Sequence, residues 1–128
     1  LAGARTPDGR GLRGTVEALL SGERPGPPLP GRNTSIGAVA TNVALTKAEA
    51  TKVAQMAHDG LARAIRPVHT PWDGDTLFAL STGGVRLEEP ALLVGTLAAE
   101  AVARAVVRAV LTATGLPGLP SASDLAGR

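Results

Sequence analysis

Trp72 and Phe78 are the only Trp, Tyr or Phe residues in 128. Any core this chain builds must therefore come mostly from Ala, Val and Leu. Small side chains fill little volume, so they suit close packing of helices on a sheet. A surface of that kind can also need another chain or domain to complete it. The length fits one small domain or a piece of a larger one.

Composition removes several function classes. Thirteen basic and eleven acidic residues leave a formal charge of +2, and the two signs are interspersed. Nucleic-acid binding calls for a concentrated basic patch, with stacking aromatics where the strand is single. Neither is present, so no nucleic-acid partner is expected. There is no cysteine, which rules out disulfides and thiolate metal sites. No uninterrupted apolar run reaches the roughly 18–20 residues of a membrane span. Residues 91–114 come closest, but Glu100, Arg104 and Arg108 interrupt them, so no membrane partner is expected. The start lacks a basic segment followed by an apolar one, as a secretory leader would have. A cytoplasmic location is the expectation. The opening residue is Leu1 rather than Met, which suggests a fragment or a processed chain.

Two stretches read differently. Residues 1–33 are rich in Gly, Pro and Arg and offer one short helical segment, Leu12 to Leu20. Pro25, Pro27, Pro28 and Pro30 follow within a few residues. They forbid a helix interior and favour extended backbone, so this is read as an exposed linker. From Thr34 the pattern sharpens. Ser35 to Val43 reads as a buried strand. Thr46, followed three residues later by Glu49, forms a capping box that opens a helix. That helix should run from Lys47 to about Ile65, with Ala50, Val53, Ala54, Ala57, Leu61, Ala64 and Ile65 as its apolar stripe. Pro67 ends it. Thr76 to Thr82 reads as a second buried strand stopped by Gly83-Gly84. Ala91 to Thr114 reads as a long helix whose wet side carries Glu100, Arg104 and Arg108. The tail, from about residue 116, is expected to be disordered. Two strands do not make a stable sheet alone. The order strand, helix, strand, helix thus points to one layer of a larger α/β sandwich.

Few residues can carry chemistry. Asn33-Thr34 sits where the linker meets the first strand. A hydroxyl is a weak nucleophile unless a base takes its proton. An N-terminal threonine supplies that base, because a free α-amine has a pKa of about 7.7–8.0. Self-cleavage makes such an amine: Thr34 Oγ1 attacks the Asn33 carbonyl, the acyl group moves from N to O, and water hydrolyses the ester. By itself, Asn-Thr also fits an ordinary loop-to-strand junction. Asp73-Gly74-Asp75, before the second strand, places two carboxylates where they can converge. One could deprotonate or orient a hydroxyl while the other holds the first. The same triplet also suits a simple turn. His58 and His69 match no standard zinc spacing, and packing or hydrogen bonding suits them better. No cofactor or metal is implied.

Taken in order, these pieces resemble one family. The runs are 33–42 (NTSIGAVATN), 57–65 (AHDGLARAI), 66–70 (RPVHT) and 73–79 (DGDTLFA). They are similar to the P1 (DmpA-like, S58) peptidase family of L-aminopeptidase/D-esterases, β-peptidyl aminopeptidases and nylon-oligomer hydrolases. The resemblance covers most of residues 34–114 and extends upstream to residues 1–10. It implies an αββα sandwich, similar to N-terminal-nucleophile hydrolases but differently connected, and incomplete in this chain. It implies self-cleavage into α and β subunits between Asn33 and Thr34, with Thr34 as the nucleophile. Asp73 and Asp75 would then assist it, as in the nylon-hydrolase branch. Residues 1–33 become the tail of the α portion and residues 34–128 the β portion. Implied partners are the chain's own α subunit, a small peptide or amide substrate, and further αβ units in a homo-oligomer. Arg32 and Ser35 depart from the commoner Gly-Asn-Thr-Thr run and should alter the cleavage rate more than its chemistry. The competing expectations are an acyl transferase like the ornithine acetyltransferases, and a truncated, inactive chain.

Overall fold

A computed structural model describes residues 1–9, 11–24, 26 and 34–126. The elements in chain order are α1 (Thr15–Leu20), β1 (Ile36–Val43), α2 (Lys47–Ala64), β2 (Thr76–Val85), α3 (Pro90–Thr112) and α4 (Ala122–Ala126). The chain divides into two compact units, one made of Leu1–Pro27 with Ala105–Arg128 and the other of Pro28–Arg104. The result is a mixed α/β structure whose sheet, among the described residues, has two parallel strands.

The Pro28–Arg104 unit carries the sheet. Parallel neighbours need a crossover connection between them, and α2 supplies it here. β1 alternates strictly between exposed and half-buried positions, the period-two signature of a strand covered on one face. Ile36 pairs with Thr76, Gly37 with Leu77, Ala38 with Phe78, Val39 with Ala79 and Ala40 with Leu80. Leu77, on the covered face, is buried, whereas Ile36, Phe78 and Leu80 on the opposite face are exposed.

The capping box forms as its spacing predicts. Glu49 N–H donates to Thr46 Oγ1 at 3.2 Å, and Thr46 N–H donates to Glu49 Oε2 at 2.7 Å. These backbone and side-chain bonds from Thr46 hold the Glu49 carboxyl below its ordinary value. Val53, Ala57 and Leu61 lie four apart on α2 and are buried. Full burial of a leucine such as Leu61 contributes about 1.5–3 kcal/mol. α2 ends at Ala64, with Ile65 already extended, because Pro67 has no N–H to continue the ladder. The Arg66–Pro67 bond is cis. α2 and the first half of α3 approach closely at two glycines. A Cβ on Gly60 would come within 2.8 Å of Val102 Cβ, and one on Gly95 within 2.7 Å of Met56 Cε. Val94, Ala98 and Ala99 are buried on the α3 side. α3 is long and apolar enough to cross a membrane by length and composition. It also carries Glu100, which pairs with Arg104 at 2.7 Å and with Arg63 of α2 at 3.8 Å.

Several sequence expectations change. Both strands, read as buried, are covered on one face only. Gly83-Gly84 does not stop β2, which runs on to Val85. The register slips between Thr41, paired with Ser81, and Val43, paired with Val85. Gly83 takes a left-handed φ of 73° there, so the glycines absorb an irregularity and the strand resumes. The tail, expected to lack order, forms α4.

In the other unit, Arg5 and Leu12 form an isolated antiparallel bridge, and Arg13 pairs with Glu23. α1 starts at Thr15, later than the Leu12 read from sequence. Ser121 precedes α4, accepts from the Asp124 N–H at 3.3 Å and donates its own N–H to Asp124 Oδ2 at 2.8 Å. That reciprocal pair secures the start of α4.

Candidate active site

The parallel register decides which residues meet at the N-terminal ends of the strands. Ile36 lies opposite Thr76, so the residues before them, Thr34-Ser35 and Gly74-Asp75, run side by side. Thr76 N–H donates to the Ser35 carbonyl at 2.9 Å. One residue earlier, a side chain takes over from the backbone, and Ser35 N–H donates to Asp75 Oδ1 at 2.9 Å. Thr34 is exposed. A Cβ on Gly74 would fall 2.8 Å from Thr34 Oγ1. The hydroxyl thus rests on the bare Cα of the glycine that separates Asp73 from Asp75.

The two carboxylates are held differently. Asp73 closes a turn: its Oδ2 accepts from Thr70 N–H at 2.7 Å, and its own N–H donates to the Thr70 carbonyl at 3.0 Å. The triplet thus forms a turn at Asp73 and a link to β1 at Asp75. The Asp75 side chain is 6% exposed. Burial opposes its ionisation. The Ser35 N–H and side chain, followed by nearby His69, outweigh that and hold the carboxyl below its ordinary value. Its Oδ2 lies 3.1 Å from His69 Nδ1, without a well-aligned hydrogen bond among the described residues.

Sequence reasoning gave His58 and His69 only packing or hydrogen-bonding roles. The structure sets their rings 4.9 Å apart at a tilt of 57° and gives His69 a carboxylate neighbour. His69 has a left-handed φ of 54°, uncommon for a residue with a side chain. Pro67 and Pro71, which bracket it, were the available signal that this turn is shaped. Of the residues expected at the site, the structure brings Thr34, Asp73 and Asp75 to one end of the sheet. Asn33 lies outside the described residues.

The arrangement has the parts of a hydroxyl nucleophile site: an exposed hydroxyl, a glycine that lets it come close, and two anchored carboxylates. Known proteins include several similar chains. The chain is 46% identical over 106 residues to an uncharacterised aminopeptidase of Mycobacterium tuberculosis, covering 73% of this chain and 31% of that protein. An uncharacterised aminopeptidase of Mycobacterium leprae is 46% identical over 107 residues, covering 73% of this chain and 30% of that one. A 6-aminohexanoate-oligomer endohydrolase of Paenarthrobacter ureafaciens is 36% identical over 88 residues, covering 60% and 25%. The chain thus spans under a third of the length of these curated relatives. The family model described as Peptidase family S58 matches residues 4–122, nearly the whole sequence, and the chain belongs to that family.

Proposed function

We propose that this chain carries the nucleophile-bearing portion of a self-processing hydrolase that cleaves small peptides or amides behind their N-terminal residue. The single observation that carries this reading is the seat of Thr34 Oγ1 on Gly74, between two anchored carboxylates. The names of the relatives, aminopeptidase and oligomer endohydrolase, support the same reaction class.

The first step is the chain's own cleavage. Thr34 Oγ1 attacks the Asn33 carbonyl, the Asn33–Thr34 C–N bond breaks, and the acyl group passes to oxygen as an ester. Water hydrolyses the ester, leaving a carboxylate on Asn33 and an amine on Thr34. In turnover, the new α-amine takes the Thr34 hydroxyl proton while Oγ1 attacks the substrate carbonyl. The proton passes to the departing amine, and an acyl-enzyme remains. Water, deprotonated by the same amine, releases the acid. Asp75 fixes the Ser35 backbone immediately after the nucleophile, and Asp73 fixes the turn that presents Gly74. Donors for the developing oxyanion, often the largest single catalytic contribution, would come from the α portion. No cofactor takes part.

Ile36 is 77% exposed, Phe78 57% and Leu80 56%, all on one sheet face. An apolar face of that kind suits a second sheet stacked upon it, as in an αββα sandwich. Upstream α-portion residues would complete it, and residues 1–128 alone would be inactive. Further αβ units are the expected oligomeric partners.

The test is Thr34→Ala in the full-length polypeptide. One uncleaved band and no amidase activity is the expected result. Normal cleavage in that variant would overturn the proposal.

A further inference from the structure

We infer that His69 is a positioning residue for the reaction, acting through Asp75. The inference rests on the reading that Thr34 is the nucleophile. Asp75 has two carboxylate oxygens with separate duties. Oδ1 accepts from the Ser35 N–H and so ties β2 to the residue that follows Thr34. Oδ2 is buried and, among the described residues, has no well-aligned hydrogen bond. His69 Nδ1 stands 3.1 Å from it. A buried carboxylate oxygen needs a donor, and the imidazole is placed to be one. With the proton on Nδ1, His69 stops the carboxylate from rotating about its Cβ–Cγ bond. Oδ1 then stays on the Ser35 N–H, and Thr34 stays seated on Gly74.

Two features show that the imidazole is itself held in place. His69 keeps a left-handed backbone, φ 54°, a conformation in which glycine or asparagine is more at ease. Strain of this kind persists only where the surroundings over-determine it. The His58 ring, carried by α2, lies against it with centroids 4.9 Å apart. The order of support is therefore α2, His58, His69, Asp75, Ser35 and Thr34. Among the described residues, the ionisable groups on the Asp75 side are His69 from the turn and His58 behind it on α2, with Asp73 two residues earlier in sequence; the α-amine of Thr34 joins them once it is free.

The experiment uses the full-length polypeptide and three variants. His69→Gly relieves the backbone and removes the donor. His69→Asn tolerates the left-handed backbone and keeps an N–H donor near the position of Nδ1. Thr34→Ala reports on the underlying reading. His69→Gly should lower kcat roughly tenfold to a hundredfold, part of the contribution of a positioned proton-transfer group, with KM within about threefold. The Asp75 carboxyl, followed by 13C NMR, should titrate at higher pH, because it has lost a partner for its charged form. His69→Asn should restore most of the rate and return the carboxyl toward its wild-type titration. A His69→Gly enzyme with wild-type kcat and an unmoved Asp75 carboxyl overturns the inference, as does a His69→Asn enzyme no better than His69→Gly. Activity surviving in Thr34→Ala removes the reading beneath it. Should His69→Gly fail to fold, 15N NMR of the wild-type protein decides. A proton on His69 Nδ1 supports the inference, and an Nε2–H tautomer with bare Nδ1 overturns it.

Discussion

Thr34 Oγ1 occupies space that a side chain on Gly74 would need: a Cβ there would lie 2.8 Å from it. The contact joins residues forty positions apart, and the parallel pairing of β1 with β2 brings them together. It also explains why glycine separates the two carboxylates. Gly74 has no left-handed φ, so its lack of a side chain serves close approach rather than a turn.

Gly74→Ala should therefore leave the backbone unstrained and push the Thr34 hydroxyl aside. Misplacement of a reacting group by about 1 Å can cost about a hundredfold in rate. The expected outcome is a fold near the wild type by circular dichroism, with chain cleavage and kcat both slowed by about that factor. A folded Gly74→Ala protein that cleaves at the normal rate would show that Thr34 does not depend on this seat.

Asp75 gives the protein an acid-sensitive element. Its folded-state carboxyl is depressed below the ordinary value of 3.8, so it favours the folded form once ionised. That contribution is fully present above the unfolded value and is lost as pH falls through the folded one. Asp75→Asn removes it. The melting temperature of the variant should be below that of the wild type at pH 6, and the gap should narrow on acidification below about pH 4. A gap constant from pH 6 to pH 3 would contradict this linkage.

Gly60 governs the approach of α2 to α3. A Cβ on it would come within 2.8 Å of Val102 Cβ and 2.9 Å of the Ala103 backbone nitrogen. Gly60→Ala normally favours a helix, yet here overpacking should dominate and destabilise the protein by about 1–3 kcal/mol. Urea unfolding measures this, and a gain in stability would mean that the helices can part without cost.

The parts legible in the sequence were those set by neighbours along the chain. The Thr46–Glu49 capping box and the Val53-Ala57-Leu61 stripe both depend on residues a few positions apart. The extension of β2 past Gly83-Gly84 was hidden, because a glycine pair ends a strand or bends it according to its partner strand. The site divides in the same way. Asp73, Asp75 and Thr34 were visible as motif positions. The link from His69 to Asp75 was not, because it needs a left-handed turn and a carboxylate that bends back toward it. The exposed face of Phe78 and Leu80 was missed because both strands looked buried. The sequence records the apolar character of that face.

The proposed chemistry requires the backbone to open in front of Thr34. Intact-mass measurement with N-terminal sequencing of the mature full-length protein decides this. Two polypeptides are expected, one ending at Asn33 and the other beginning with a free Thr34 amine. A single unbroken polypeptide that hydrolyses its amide substrate at full rate would contradict it.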